Sequence, residues 1–372
     1  MSIKISDYSS GYKVVSLVKD EADERTAISR SWDYILFTKD EAYLMPNNKN
    51  LLLTPAMIDE LQNYNSLDVF EITENGLIHR IYDTSASDNA FFVTGKCNSN
   101  CIMCPASDSQ RKNGIPFNQE ELLQKISHIP YPPEYLTITG GEPFLPGKQF
   151  FPVLQSLRDS FPDTNFQILT NGRIFANLEY CKLLQENIPD KTEIGIPVHG
   201  PNADLHDYIS QVPGSFHQTF LGLKHLLSMG FQIEIRIVAS ALNCDYMDGI
   251  ADLIINEFHN VTVVRIMGLE MMGNAAFNRD RVWLPYRDVF LATKNAAKKL
   301  ILSGIDVSYY NFPLCSMDRE YWSLGSRSIS GYKVRYADGC EKCIVKSVCG
   351  GFFQTSLHFA EGQIHPVEDL RI

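Results

Sequence analysis

Phe91-Phe92-Val93-Thr94-Gly95-Lys96-Cys97-Asn98-Ser99-Asn100-Cys101-Ile102-Met103-Cys104 reads as a short apolar strand, a glycine turn and a loop carrying three cysteines. A compact run of aromatic and β-branched residues closed by glycine is a strand signal. The same grammar recurs downstream. Strand-like runs at Phe91–Thr94, Tyr135–Thr139, Phe166–Thr170, Thr192–Ile196, Ile233–Val238 and Thr262–Ile266 alternate with helical periods. Those helical periods are Asn118–Ile129, Phe150–Ser160, Leu178–Glu186, Ser215–Met229, Tyr246–Phe258 and Pro285–Ser303. Six strands alternating with six helices predict a parallel sheet with right-handed crossovers. That is too few units to close an eight-fold barrel, so the expected fold is α/β, a partial open (β/α)6 TIM-like barrel over residues 90–310.

In such sheets ligands gather at the carboxyl ends of the strands, and the polar motifs fall there. Cys97 follows the first strand, Gly140-Gly141-Glu142 the second and Asn171-Gly172 the third. His199 lies just past the fourth strand, Arg236 within the fifth, and Gly268 and Glu270 beyond the sixth. Residues 1–89 lack the repeat. They mix strand-like pieces (Tyr12–Val18, Tyr34–Thr38, Val69–Ile72, Leu77–Tyr82) with one helix, Thr54–Tyr64, where Thr54 suits the N-cap and Pro55 the first turn. This predicts a small N-terminal α+β domain, a substrate- or partner-docking unit, joined through Tyr82–Asn89. Residues 311–372 form a cysteine-rich C-terminal extension.

Composition narrows the function. With 44% hydrophobic and 21% charged residues the chain has the make-up of a globular protein. A net charge of −11 argues against nucleic acid or an anionic membrane surface as partner. The first twelve residues show no secretory signal and no run is long enough to span a bilayer, so the expected compartment is the cytoplasm. In that reducing setting nine cysteines, an odd number, point to metal before disulfides.

Cys97, Cys101 and Cys104 have the spacing C-x3-C-x2-C. Three thiolates in one loop can bind three irons of a [4Fe–4S] cubane and leave the fourth open. An open iron is where S-adenosylmethionine (SAM) chelates before its reductive cleavage to a 5′-deoxyadenosyl radical. A three-thiolate zinc knuckle is the competing reading, and it needs a fourth protein ligand. Cys315, Cys340, Cys343 and Cys349 supply four more thiolates, enough for a closed auxiliary [4Fe–4S] cluster or a four-cysteine zinc site. Cys181 and Cys244 stand alone and read as small buried hydrophobes.

With Gly140-Gly141-Glu142-Pro143 added, the chain resembles the radical SAM superfamily over residues 90–310. The resemblance implies that Gly140, Gly141 and Glu142 meet the SAM amino group, and that Asn171 and Arg236 contact its ribose or carboxylate. Asn171-Gly172 also suits an ordinary turn, and Arg236 an internal ion pair. Many members carry an aromatic residue before the third cysteine; here Met103 stands beside the adenine position, polarisable enough to pack on a purine. Further stretches resemble the C-type radical SAM maturases of His-Xaa-Ser repeat peptide systems. These are Gly195-Ile196-Pro197, Leu205-His206-Asp207-Tyr208, Met267-Gly268-Leu269-Glu270, Asn311-Phe312-Pro313-Leu314-Cys315, Ser328-Ile329-Ser330 and Cys349-Gly350-Gly351-Phe352-Phe353. That likeness implies a ribosomally made precursor peptide as substrate, a second radical SAM maturase as partner, and an external electron donor of flavodoxin or ferredoxin type.

Glu270 and His199 are the candidate catalytic residues. Glu270 either binds substrate or SAM at the barrel mouth or is a helix cap; His199 either hydrogen-bonds near SAM or shapes the loop before Pro201. Two other functions compete with peptide modification: radical SAM chemistry on a small molecule or nucleotide, and a non-catalytic scaffold for a second maturase.

Overall fold

The computed structural model describes residues 3–5, 8–327 and 333–369; the Ser328-Ile329-Ser330 stretch lies outside them. The N-terminal part is a sheet of seven strands, β1 (Ile3–Lys4), β2 (Lys13–Val18), β3 (Tyr34–Thr38), β4 (Glu41–Met45), β5 (Lys49–Asn50), β6 (Val69–Ile72) and β7 (Leu77–Tyr82). Their order is β1-β7-β6-β2-β3-β4-β5. Two helices accompany it, α1 (Glu21–Ser29) and α2 (Pro55–Asn63). Asp20 caps α1 by accepting from the amides of Ala22 and Asp23, and Thr54 caps α2 through Met57 N.

Strand alternation splits the duties of this sheet. Val15, Leu17, Phe70 and Ile72 point to the core under α2. Val14 and Val69, from the same strands, and Tyr82 of β7 belong to the core of the larger domain. Docking is completed by polar contacts. Trp32 Nε1 donates to Ser127 O at 2.7 Å, its ring stacks on His128 at 5.5 Å, and Lys125 pairs with Glu71 at 2.6 Å.

The larger domain is a curled sheet of eight parallel strands in chain order: β8 (Asp88–Phe92), β9 (Tyr135–Thr139), β10 (Asn165–Leu169), β11 (Thr192–Pro197), β12 (Gln232–Val238), β13 (Val263–Met267), β14 (Val307–Tyr310) and β15 (Gly325–Ser326). The helices α4 (Gln119–His128), α5 (Phe151–Ser160), α6 (Leu178–Asn187), α8 (Ser215–Ser228), α9 (Met247–Glu257) and α12 (Tyr286–Leu302) make the crossovers. Shorter helices α3 (Asp108–Asn113), α7 (Ala203–Ser210), α10 (Gly273–Phe277) and α11 (Arg279–Val282) sit in the loops. The expected open barrel is present, with two strands more than the six predicted. The seventh, β14, follows α12 after the turn at Gly304 (φ +81°). The eighth, β15, has two residues and no apolar pattern, and it comes from the C-terminal extension, which is therefore knitted into the sheet.

Candidate functional site

The cysteine loop leaves the end of β8 and is gripped on several sides. Asn100 N donates to Ser210 O at 3.0 Å and Ile102 N to Ile209 O at 2.9 Å, at the end of α7. Asn274 Nδ2 holds Asn100 Oδ1 and Cys101 O, Asn278 Nδ2 holds Ile102 O, and Ala275 N donates to Cys104 O. Arg173 reaches over from β10's turn, giving Nη1 to Asn98 O at 2.8 Å and to Ser99 Oγ at 3.1 Å. With these bonds made, the loop's shape is fixed by protein alone, and its three thiols face one cavity.

That cavity, about 290 Å³, has walls from successive strand ends: Cys97, Cys101 and Cys104, then Gly140 and Gly141, Thr170, Asn171 and Arg173, His199, and Arg236. Met103 lines it too, although its side chain is largely packed against Ile209, Leu269 and Met271. Burial pushes the thiols of Cys97 and Cys101 up to about 11 and about 12. Their protons are released when a metal centre takes their place. The Ser99 amide already points at Cys97 Sγ, 3.3 Å away, a donor suited to a thiolate. The donor set fits an iron–sulfur centre. Among the described residues no three His, Cys, Asp or Glu side chains stand as close as one bound metal ion requires.

Gly140 and Gly141 owe their identity to backbone crowding. A Cβ on Gly140 would sit 2.5 Å from Thr94 O, and one on Gly141 2.3 Å from Lys96 O. Gly141 N donates to Thr94 O and Glu142 N to Lys96 O, so the second-strand turn is laced to the loop that carries Cys97. Glu142 is buried and does not line the cavity. Its Oε1 accepts from Phe144 N at 3.0 Å and Thr170 Oγ1 at 2.7 Å, and its Oε2 from Asn171 N at 2.7 Å. Burial pushes its pKa up, against the pull of these three donors. The carboxylate thus ties the β9 turn to the β10 turn, where Gly172 takes φ +73°. Asn171 in turn donates to Asn98 Oδ1 at 2.7 Å.

Arg236 does both things its position allowed: it lines the cavity and pairs with Glu234 at 2.9 Å. His199 is buried, its Nε2 lies 3.9 Å from Cys101 Sγ, and its ring rests against His206 at 4.9 Å. Burial, then His206, hold its pKa well below the ordinary value. Burial takes His206 down to about 4. Glu270 stays outside the cavity; it faces Lys333 of the extension at 3.4 Å and caps no helix. Sequence reasoning missed Arg173, His206 and Asn274. Arg173 had a signal, adjacency to the Asn171-Gly172 turn. Asn274 had none, because the cysteine-loop groups it holds, Asn100 and Cys101, lie over 170 residues away.

The second cysteine set also converges. Cys315, Cys340, Cys343 and Cys349 line one small cleft with Pro313, Val345, Phe352 and Ile364. Cys349 Sγ faces the amides of Leu314 (3.3 Å) and Gly351 (3.4 Å), and Cys343 Sγ that of Val367 (3.4 Å). Burial pushes Cys315 up to about 11.

Residues 91–268 match the family model described as the radical SAM superfamily, so this part of the chain is a radical SAM domain. Over 159 residues the chain is 24% identical to an AdoMet-dependent heme synthase of Methanosarcina barkeri, covering 42% of this chain and 43% of that protein. A second such synthase, from Oleidesulfovibrio alaskensis, is 23% identical over 165 residues, covering 44% and 41%. The chain thus spans less than half the length of these curated relatives. Among solved structures it is similar to Streptococcus suis SuiB bound to precursor peptide SuiA, with TM-score 0.50, 11% identity, and coverage of 73% of this chain and 57% of that one. Among the described residues no helix is long and apolar enough to cross a membrane.

Proposed function

We propose that the chain is a radical SAM maturase, cleaving SAM reductively to modify a ribosomally made peptide in the reducing cytoplasm. One observation carries the chemistry: three half-buried thiols of a single, fully braced loop open into a cavity walled by the strand ends. In this reading Cys97, Cys101 and Cys104 hold a [4Fe–4S] cluster, and Met103, Gly140, Gly141, Asn171 and Arg236 hold SAM. When bound, the cluster supplies the electron that breaks a carbon–sulfur bond of SAM. The rest is the chain's own work. Arg173 and Asn171 fix the loop, Glu142 locks the β9 and β10 turns together, and Arg236 keeps a cation at the cavity floor, oriented by Glu234. The tight packing of Ile102 and Met103 against Leu269 and Met271 excludes water from one wall.

Likeness to a peptide-bound structure and to the His-Xaa-Ser maturases supports the peptide substrate. The N-terminal α+β domain is then the docking unit for the peptide or a second maturase. The likeness to heme synthases favours a second reading, a small-molecule substrate. Anaerobically reconstituted protein given SAM and dithionite should release 5′-deoxyadenosine. Turnover of a candidate His-Xaa-Ser peptide, followed by mass change, decides between the two substrates. No 5′-deoxyadenosine with any reductant ends both readings. The four C-terminal cysteines are proposed to hold an auxiliary [4Fe–4S] cluster. Cys340→Ala/Cys343→Ala should lower the iron count from about eight to about four; zinc in the wild type at that site would replace this assignment.

A further inference from the structure

We propose that His199 is a positioning residue for the centre held by the cysteine loop: its Nε2–H donates a hydrogen bond to the Cys101 sulfur and thereby sets how readily that centre accepts an electron. The inference deepens the proposed function and rests on it. The main chain that carries the ring is held at both of its polar groups. His199 N donates to His206 Nδ1 at 3.3 Å, and His199 O accepts from Asn243 Nδ2 at 3.3 Å. Asn243 is itself fully buried, accepts from Ser240 N at 2.9 Å, and ties the β11 loop to the β12 loop. The imidazole lies against His206 on one side and has Cys101 Sγ 3.9 Å from Nε2 on the other.

The tautomer follows from what surrounds the two nitrogens. Nδ1 is buried and has no hydrogen-bond partner. A proton placed there would be wasted, and the Nε2 lone pair would then face an electron-rich sulfur. A proton on Nε2 makes a bond in place of a repulsion. An N–H aimed at a cysteine sulfur stabilises the more negative, reduced form of a cluster, and so raises its potential. One hydrogen bond of ordinary net worth corresponds to about tenfold in the ratio of reduced to oxidised centre at fixed potential. For a one-electron couple that is about 59 mV.

The test is an EPR-monitored redox titration of the cluster-loaded protein without SAM. The second cysteine set is removed by Cys340→Ala/Cys343→Ala, so that one centre titrates. Iron and sulfide are counted first; a wild-type loop that binds no cluster overturns the cysteine-loop reading itself. Given a loaded cluster, His199→Phe should lower the midpoint by about 59 mV, with His199→Gln, which keeps a donor, lying between. Equal midpoints for all three proteins overturn the role of His199 and leave the cluster assignment standing. Should the Phe variant fail to load, 15N-histidine labelling of protein with His199 intact replaces it. A histidine nitrogen coupling in pulsed EPR of the reduced centre supports the bond, and its absence overturns it.

Discussion

Replacing Gly141 with alanine should dismantle the site by displacing its main chain. The added Cβ would lie 2.3 Å from Lys96 O, 2.7 Å from Lys96 C and 2.8 Å from Gly95 O. All three are main-chain atoms, which cannot swing aside as a side-chain tip can. Ordinary van der Waals contact begins near 3.4 Å, so the Lys96 carbonyl must retreat by about 1 Å. Lys96 immediately precedes Cys97, and the same carbonyl accepts the Glu142 amide at 2.9 Å. The displacement therefore reaches the first thiol and strains the lacing of the two turns. Overpacking of this kind costs about 1–3 kcal/mol. A shift of about 1 Å at a reacting constellation costs on the order of 100-fold in rate. Gly141→Ala, reconstituted anaerobically, should show a lowered melting temperature, iron loss from the first cluster and about 100-fold slower 5′-deoxyadenosine release. Gly362→Ala, whose Cβ meets nothing within 4 Å, is the control. Wild-type iron content and rate in Gly141→Ala would refute the claim that close approach of these two turns builds the site.

Other outcomes follow from contacts elsewhere. Trp32→Ala removes a buried indole that donates to Ser127 O and stacks on His128. It should cost about 3–5 kcal/mol and expose the 83–87 turn, seen as faster limited proteolysis there. Asn243→Ala leaves the amide of Ser240 and the carbonyls of His199 and Val238 short of partners, a loss of about 1–3 kcal/mol readable in denaturant melts. Glu193 is pushed up to about 7 by burial, then by the hydrogen bond and charge of Glu234, against Arg265 and Gln167. A raised carboxyl pKa means the folded chain holds a proton that the unfolded chain has lost. Stability should thus fall as pH rises from about 4.5 to about 7. Glu193→Gln should flatten that slope in thermal melts; an unchanged slope counts against it.

Much of the barrel could be read from period and punctuation. The runs at Tyr135–Thr139 and Ile233–Val238 alternate, with Leu136, Ile138, Ile233, Ile235 and Ile237 buried between more polar neighbours, so a period of two marked them within a residue. Helix α1 escaped because charged residues dominate it, though Asp20 followed by Glu21, Asp23 and Glu24 was a legible N-terminal signature. Strand β15 could not be read at all: two residues carry no period, and its pairing with β14 is a tertiary fact. The cysteine spacing announced the three thiols that share one cavity, whereas the partners of Glu142 did not announce themselves. Which donors a carboxylate meets depends on turns 28 and 29 residues away. The expectation that it faces SAM came from kinship, and in this fold its oxygens are occupied by Phe144, Thr170 and Asn171.

Because β15 and the last four cysteines share one stretch of chain, the far edge of the barrel and its second thiol set are born together, late. Some two hundred residues separate Cys104 from Cys315. At roughly 5–20 residues per second, a ribosome presents the first loop about 10–40 s before the second set begins to emerge. Translation thus presents the two thiol sets in order, the early loop first, and the sheet's final strand is laid down only as the second thiol set arrives.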